Sequence, residues 1–412
     1  MAVGEQVWPR MHPIAGLTLG TAAAGVKHPN RADIVVMAAA EGSTVSGVFT
    51  QNAFCAAPVT VGRQHIDRGD VRYLLINSGN ANACTGERGL ADAERCCDAL
   101  AKLAHDELGT AIVPRQVVPF STGVIGEYLP VDKIIAALPQ ALQTLSLDGW
   151  SAAGRAIMTT DTRPKGASVQ FEHDGEVISV TGIAKGAGMI RPNMATMLAY
   201  IATDAVVAQP LLDSILKRAA DQSFNRISID GDTSTNDACI LIATGQAGFP
   251  MLSAPVGELY NKLLAAVCDV HRQLALAIVR DGEGATKCIG VRVEQGSTKD
   301  ECLKVAYAIA HSPLVKTALF ASDPNWGRIV CAIGYAGVPS LDTSQVNVYL
   351  DDVCIVSAGE RAASYTEAQG QAVVDHAEFT VRVELGRGHS CEQIWTSDLS
   401  HDYVTINAEY RS

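Results

Sequence analysis

Lys185-Gly-Ala-Gly-Met-Ile-Arg-Pro-Asn-Met-Ala-Thr-Met-Leu-Ala-Tyr200 is the stretch around which the chain is organised. Small residues and Pro192 lead into the peptide Ala195-Thr196, and the apolar run 197–202 that follows predicts a buried strand. A hydroxyl at the head of such a strand suits a chain that cuts itself. The Thr196 hydroxyl would attack the Ala195 carbonyl, and water would release an N-terminal threonine whose α-amine, with a pKa near ~7.7–8.0, serves as a base. Residue types alone favour a different interpretation, a glycine loop before an ordinary core strand.

Composition limits the class of protein. The 412 residues suffice for two or three domains, and 48% hydrophobic with 18% charged residues describes a globular chain. The net charge of −12, without a basic patch, argues against nucleic acid and anionic membranes as partners. Eleven cysteines without a C-x-x-C spacing predict reduced thiols in a cytosolic protein. Neither a signal peptide nor an apolar run of the ~20 residues that a membrane helix needs is expected.

Hydrophobic periodicity predicts helices and strands along the whole chain. Strands are expected at 33–38, 44–50, 58–61 and 71–76, with a hairpin of 168–172 and 176–180 around Asp174-Gly175. Helices are expected at 91–105, 131–145, 149–158, 209–225 and 257–280. The pattern changes near residue 285, after which strands are expected at 287–294, 329–333, 346–350, 353–356 and 379–385, with a helix at 298–310. We therefore predict a domain boundary near residue 285.

Two loops carry chemistry that the residues themselves suggest. A predicted strand ends at Ser121-Thr122-Gly123, where backbone N–H groups in a turn can meet a developing oxyanion. The acidic run 227–237 raises the question of a metal site, but its spacing does not fit an EF-hand, and we prefer a strand–loop–strand whose side chains cap backbone groups. The sequence shows no Walker A, dinucleotide, G-x-S-x-G or H-E-x-x-H motif, which disfavours acyl transfer by a serine triad or zinc.

Residues 185–199 resemble the cleavage region of the ornithine acetyltransferases, the glutamate N-acetyltransferases of arginine biosynthesis. Matching motifs recur near residues 50, 80, 122, 160, 190, 230, 325 and 407, so the resemblance covers essentially the whole chain. In this family the bond before the Thr of Ala-Thr-Met-Leu is cut, and that threonine then carries the acetyl group. The resemblance implies cleavage between Ala195 and Thr196 into an α chain, 1–195, and a β chain, 196–412, commonly assembled as α2β2.

The fold that the resemblance implies is of the α/β (α+β) class. It is an N-terminal-nucleophile-like layered α/β core with a C-terminal α+β domain. Residues 1–195 would form the first part of the core with the oxyanion loop, 196–284 would complete the core, and 285–412 would form the C-terminal domain.

The resemblance also assigns site residues. Thr196 is implied as the nucleophile, and Thr122 with Gly123 as the oxyanion hole. Substrate binding is implied for Thr159, Lys185, Thr196, Glu283, Asn407 and Ser412, the last standing where the family often has threonine. We expect Lys185 and the tail to face a substrate carboxylate and Glu283 to face an ammonium. No metal and no cofactor are implied.

The implied activity is acetyl transfer from N2-acetyl-L-ornithine to L-glutamate through a ping-pong acyl-enzyme, in the cytoplasm. The resemblance leaves acetyl-CoA open as a further donor. Two alternatives remain. A self-cleaving aminopeptidase of the same fold class would release an amino acid from a peptide, and an uncleaved, non-catalytic ligand-binding relative would remain a single full-length chain.

Overall fold

The computed structural model describes residues 2–5, 7–109, 111–191 and 197–408. Helices and strands alternate through these residues, which confirms the predicted α/β class. The strands are β1 (Leu17–Ala22), β2 (Ile34–Ala39), β3 (Thr44–Phe49), β4 (Tyr73–Asn80), β5 (Val117–Val124), β6 (Lys165–His173), β7 (Glu176–Lys185), β8 (Leu198–Thr203), β9 (Ile227–Ser228), β10 (Ala238–Ala243), β11 (Cys288–Gly296), β12 (Asn347–Leu350), β13 (Val353–Ser357), β14 (Glu360–Arg361), β15 (Glu378–Glu384) and β16 (Ser390–Ser397).

The helices connect and cover these strands. They are α1 (Ala57–Asp67), α2 (Gly86–Leu108), α3 (Val131–Gln143), α4 (Trp150–Ala156), α5 (Gln209–Asp221), α6 (Glu258–Arg280), α7 (Lys299–Ala310), α8 (Pro313–Phe320), α9 (Trp326–Gly334), α10 (Glu367–Val374) and α11 (His401–Ala408). Among the described residues, none of these helices has the length and apolar character that a membrane crossing requires.

Two sheets pack face to face and carry helices on their outer faces. One has the order β1-β2-β4-β5 and the other β3-β10-β8-β7-β6. Leu74 of β4 and Tyr200 of β8 point into the shared core between the sheets. Because side chains alternate along a strand, the neighbours Leu75 and Ile201 face outward, the first toward α2 and α3 and the second toward α5 and α6. The result is a four-layer arrangement of helices, sheet, sheet and helices.

The predicted buried strand after the cleavage region is confirmed as β8. All six of its residues are buried, as are all six of its parallel neighbour β10. Strands covered on both faces read as continuous apolar runs rather than alternating ones. The head of β8 therefore lies inside the core, where Leu198 pairs with Ala238 of β10.

A third sheet gathers most of the later strands in the order β14-β13-β12-β15-β11-β16-β9. Its hydrophobic core also contains residues of α7, α8 and α9, together with Tyr365. Its edge strand β9 comes from the earlier part of the chain and pairs in parallel with β16 through Ile227 and Trp395. The domain boundary near residue 285 stays a prediction.

Two predicted strands are wrong, because both segments are helical. Residues 58–61 lie in α1, where Pro58 occupies the first turn; its fixed φ suits that position, and this preference outweighs the β-branched residues that follow. Residues 329–333 lie in α9, which begins where the Asn325 side chain accepts a hydrogen bond from the Arg328 N–H. Burial of Ile329, Ala332 and Ile333 follows the helical spacing instead of the alternation of a strand.

Candidate active site

A cavity of about 260 Å³, which we call the main cavity because the predicted site residues line it, opens beside the head of β8. It collects site residues that the resemblance implied from five separate segments: Thr122, Gly123, Thr159, Lys185, Glu283 and Asn407. Met197 and Leu198, which directly follow the predicted nucleophile in sequence, line the same cavity. The cleavage residues Ala195 and Thr196 and the C-terminal Ser412 lie outside the described residues. Their roles, and those of the lining residues, stay predictions.

The predicted oxyanion residues lie where the ladder between β4 and β5 becomes irregular. Gly123 is level with Gly79, and the next residue, Asn80, pairs with residues on both sides of that point. Gly123 has a φ of +134°, and a Cβ on it would lie 2.3 Å from the Gly79 carbonyl carbon, so only glycine fits. An irregular register leaves backbone groups outside the regular ladder, which is what an oxyanion site requires of its N–H donors.

Lys185 ends β7 and points its ammonium into the main cavity. Its Nζ donates a hydrogen bond of 3.3 Å to Thr122 Oγ1, which joins the predicted substrate-binding and oxyanion residues directly. Burial lowers the pKa of Lys185, while the nearby carboxylates of Asp161, Asp237 and Glu283 act in the opposite direction. The side chain is therefore partly desolvated and lies among acidic neighbours, and its ammonium form suits a substrate carboxylate.

A buried ion-pair network lies next to the main cavity. Lys165 is fully buried, and its Nζ lies 2.6 Å from both Asp161 Oδ1 and Asp281 Oδ2. Asp161 also accepts hydrogen bonds from the backbone N–H groups of Thr159, at 2.9 Å, and Gly186, at 2.8 Å. Burial opposes the charge on Asp161, but the ammonium groups of Lys165 and Lys185 and the hydrogen bond from Gly186 outweigh this effect, so the pKa of Asp161 falls below its ordinary value. One carboxylate thus fixes both a predicted substrate residue and the start of the cleavage segment.

Glu283 approaches the cleavage segment closely and meets the C-terminal helix. Its backbone N–H donates to the Ala187 carbonyl at 2.8 Å. A Cβ on Gly188 would lie 2.3 Å from the Glu283 carboxylate, so a side chain at this position would displace that carboxylate. Asn407 of α11 donates a hydrogen bond of 2.7 Å from Nδ2 to Glu283 Oε2. The last described helix therefore reaches the main cavity through Asn407, whose role in substrate binding stays a prediction.

The acidic loop after β9 connects the cleavage segment, residues 185–199, to helix α11. Asp230 accepts hydrogen bonds from the backbone N–H groups of Met189, at 2.6 Å, and Ile190, at 2.9 Å. The hydroxyl of Tyr403, in α11, donates to the same carboxylate at 3.3 Å. This capping of backbone groups agrees with the strand–loop–strand interpretation of 227–237. Asp230 thereby connects the segment before the predicted cut to α11, whose Asn407 lines the main cavity.

Sequence reasoning assigned no role to Asp161 and considered Asp237 only as part of the acidic run 227–237. Asp237 is 4% exposed and lines the main cavity, and its Oδ2 has no hydrogen-bond partner among the described residues. Burial raises the pKa of Asp237 well above its ordinary value, although the Lys185 ammonium acts against that rise. The sequence did contain a signal for a role of Asp237, which lies directly before the buried run 238–243. Polar residues at the ends of buried strands gather at one edge of a sheet, where a site can form.

Comparisons with known proteins show which family this chain belongs to. A sequence model described as the ArgJ family matches residues 18–412. The arginine biosynthesis bifunctional protein ArgJ of Pseudomonas syringae pv. tomato is 61% identical over 412 residues, which is all of both chains. The protein of that name from Methylococcus capsulatus is 58% identical over 403 residues, 98% of this chain and 97% of that one.

One solved relative is the crystal structure of arginine biosynthesis bifunctional protein ArgJ from Bacillus halodurans. It is 36% identical with a TM-score of 0.48, and covers 50% of this chain and 95% of that one. The match of the family and the identity to full-length relatives confirm the resemblance first read from the cleavage segment: the chain belongs to the ArgJ family.

Proposed function

We propose that this protein is a glutamate N-acetyltransferase of arginine biosynthesis that moves an acetyl group from N2-acetyl-L-ornithine to L-glutamate. Family membership and 61% identity to a full-length arginine biosynthesis protein support it. The observation that carries the proposal is the convergence of Thr122, Gly123, Thr159, Lys185, Glu283 and Asn407 on one cavity at the head of β8. The proposal involves no metal and no cofactor.

The first half-reaction would form an acetyl-enzyme on Thr196. The freed α-amine of Thr196 takes the proton of its own hydroxyl, and the oxygen attacks the acetyl carbonyl. Donors at Thr122 and Gly123 stabilise the oxyanion, a contribution of roughly 3–4 kcal/mol for a donor at comparable sites. The intermediate collapses as the C–N bond breaks, the amine passes its proton to the leaving nitrogen, and ornithine departs.

The second half-reaction reverses these steps with a different amine. The neutral α-amine of L-glutamate attacks the acetyl ester carbon, and the α-amine of Thr196 takes the proton that the new amide releases. The C–O bond to Thr196 then breaks, the threonine oxygen recovers its proton, and N-acetyl-L-glutamate leaves. Both substrates share an α-amino-acid head, so the same reacting atoms serve in each direction.

The charges around the main cavity suggest how N2-acetyl-L-ornithine lies. The Lys185 ammonium suits its carboxylate, and the Glu283 carboxylate, held by Asn407, suits its side-chain ammonium. Hydrogen bonds to charged groups contribute about 1.5–3 kcal/mol each, so these two contacts account for useful affinity. Thr159 stands beside them with its backbone fixed by Asp161.

Processing, assembly and location follow the family resemblance. We propose cleavage between Ala195 and Thr196, assembly as α2β2, and a cytoplasmic enzyme. The names of the curated relatives include the word bifunctional. That word supports acetyl-CoA as a second acetyl donor, from which the enzyme would make N-acetyl-L-glutamate without acetylornithine.

An exchange experiment tests the proposal. Purified protein is incubated with N2-acetyl-L-ornithine and labelled ornithine, without glutamate, and the label is followed into acetylornithine. A ping-pong enzyme exchanges the label, and addition of L-glutamate yields N-acetyl-L-glutamate and ornithine in equal amounts. Release of amino acids from peptides without exchange would instead identify an aminopeptidase. A single full-length chain without either activity would identify a non-catalytic relative.

A further inference from the structure

The cleavage segment is held on both sides of the predicted cut by one stretch of chain, residues 229–238. Before the cut, the carbonyl of Ile190 accepts a hydrogen bond of 2.8 Å from the Ile229 N–H. After the cut, the carbonyl of Met197 accepts a hydrogen bond of 2.9 Å from the Ala238 N–H. The predicted cut therefore lies between two positions that the same stretch of chain fixes.

Asp230 makes a two-pronged contact within this stretch. Its Oδ2 accepts a hydrogen bond of 2.6 Å from the Met189 N–H, and its Oδ1 accepts one of 2.9 Å from the Ile190 N–H. Two consecutive N–H groups that point at one anion form a nest, a turn of the backbone that often includes a left-handed residue. Met189 supplies that conformation, with a φ of +55°.

The turn at Met189 needs support from its surroundings. A residue with a side chain seldom adopts a positive φ, because its Cβ then approaches the following carbonyl oxygen. Such a conformation persists where neighbouring groups determine it, and these positions concentrate at functional sites. The carboxylate of Asp230 is the charged group that binds both N–H groups of this turn. The turn lies in the cleavage segment shortly before Thr196.

The Asp230 carboxylate is itself oriented by further donors. The backbone N–H of Asp232 donates to Oδ1 at 3.2 Å, and the hydroxyl of Tyr403 donates to Oδ2 at 3.3 Å. Both oxygens therefore accept one bond from the cleavage segment and one from elsewhere. This arrangement fixes the direction in which the carboxylate faces the turn at Met189.

We propose that Asp230 is a positioning residue for self-cleavage, whose carboxylate holds the turn at Met189 in the conformation from which the bond between Ala195 and Thr196 is cut. This inference rests on the proposed function. In the cut, the Thr196 hydroxyl oxygen bonds to the Ala195 carbonyl carbon, and the hydroxyl proton passes to the amide nitrogen as the C–N bond breaks. Water then hydrolyses the ester, and Asp230 takes no part in these bond changes.

The test measures self-cleavage and acetyl transfer separately in the full-length chain. The protein is translated in vitro for a short time, synthesis is stopped, and gel electrophoresis follows the loss of the 412-residue chain. Asp230→Asn keeps the shape of the side chain but leaves one acceptor oxygen for two N–H groups. We expect cleavage to slow about tenfold or more, since a charge-assisted contact is lost. Acetyl transfer per mole of cut chain should fall far less.

A pair of substitutions at Met189 separates support of the turn from a general contribution to stability. Met189→Gly and Met189→Ala both remove the side chain, but only glycine adopts a positive φ without strain. Asp230→Asn should therefore slow cleavage much less when it is combined with Met189→Gly than when it is combined with Met189→Ala. A general loss of stability would act to the same extent in both backgrounds.

Two controls lie beside the contact. Asp232→Asn removes an exposed carboxylate from the same loop and should leave the rate of cleavage at that of wild type. Tyr403→Phe removes the hydrogen bond from α11 to Asp230 while both N–H contacts of the turn remain. It should also cleave like wild type, which separates the turn from the attachment of the helix.

A second variant is available if thermal unfolding shows that Asp230→Asn does not fold. The Thr233 hydroxyl donates a hydrogen bond of 3.2 Å to the Arg191 carbonyl, closer to the cut. Thr233→Val removes this bond without changing a charge, and we expect it to slow cleavage about threefold. Cleavage of this variant at the rate of wild type would then overturn the inference.

Two results with a folded Asp230→Asn variant would overturn the inference and leave the proposed function intact. One is cleavage at the rate of wild type, whatever the transfer activity. The other is equal slowing of cleavage in the Met189→Gly and Met189→Ala backgrounds. An active wild type that stays a single chain would instead contradict the proposed function itself.

Discussion

Asn407 and Glu283, separated by 124 residues in sequence, are joined by a hydrogen bond of 2.7 Å at the wall of the main cavity. The contact depends on Gly284, which has a φ of +69° and lies so close to α11 that a Cβ would be 2.6 Å from the Tyr403 nitrogen. The C-terminal helix is therefore part of the site. It orients the carboxylate that we assign to the ornithine ammonium.

Gly188→Ala should damage the site while the fold persists. The new methyl group would lie 2.3 Å from the Glu283 carboxylate, which is the flexible end of its side chain and can move aside. We expect kcat/KM for N2-acetyl-L-ornithine to fall about 10- to 100-fold, the value of one charge-assisted contact. Steady-state kinetics measure this loss, and thermal unfolding should show little change.

The matched control is Gly248→Ala. A Cβ at this glycine meets nothing within 4 Å, and its φ is not in the left-handed region. Its kinetics should equal those of wild type. Equal kinetics for Gly188→Ala as well would show that the position of Glu283 does not matter for acetylornithine.

The pH dependence should report the charge of Lys185. Burial lowers its pKa below the ordinary 10.5, so its ammonium, present below that pKa, is lost as the pH rises through it. We expect kcat/KM for acetylornithine to decline on an alkaline limb below pH 10.5. Lys185→Arg should remove this limb, because arginine stays charged. A limb that persists in Lys185→Arg would belong to another group.

Asp237→Asn should move the same limb in a defined direction. The Asp237 carboxylate raises the pKa of Lys185, so its loss should shift the alkaline limb to lower pH. The amide matches the carboxyl group in shape and spares the cost of burying a charge, so we expect the protein to remain folded. A shift to higher pH in the measured profile would contradict the electrostatic coupling between the two side chains.

Lys165→Met should destabilise the protein strongly. The substitution leaves the carboxylates of Asp161 and Asp281 buried without their ammonium, which typically costs about 3–5 kcal/mol in the free energy of unfolding. Urea denaturation followed by circular dichroism measures the change. Lys262→Met is the control, since it breaks an exposed pair with Glu258 on α6 and should leave the midpoint unchanged. Equal midpoints for both variants would mean that the buried pair contributes nothing.

Local sequence signals predicted most of the core correctly, for identifiable reasons. The apolar run after Thr196 is buried on both faces in β8, and Asp174-Gly175 adopts the positive φ angles of +48° and +83° that its hairpin requires. The β-branched residues after Pro58 favoured a strand, but the proline at the first turn of α1 decides for a helix. In that segment the β-branched residues favour a strand, whereas the proline favours the start of a helix.

The cavity was accessible only through the resemblance, because its residues come from segments far apart. No local pattern indicates that Asp161 contacts Gly186. Nor does any pattern indicate that Lys165, the first residue of β6, is completely buried between two carboxylates.

Intact-mass analysis of catalytically active protein tests the central claim most directly. Autocleavage predicts two chains with the masses of residues 1–195 and 196–412, the second with an N-terminal threonine, and predicts that Thr196→Ala yields one uncut chain without label exchange. An active preparation that consists of the unbroken 412-residue chain would contradict the account.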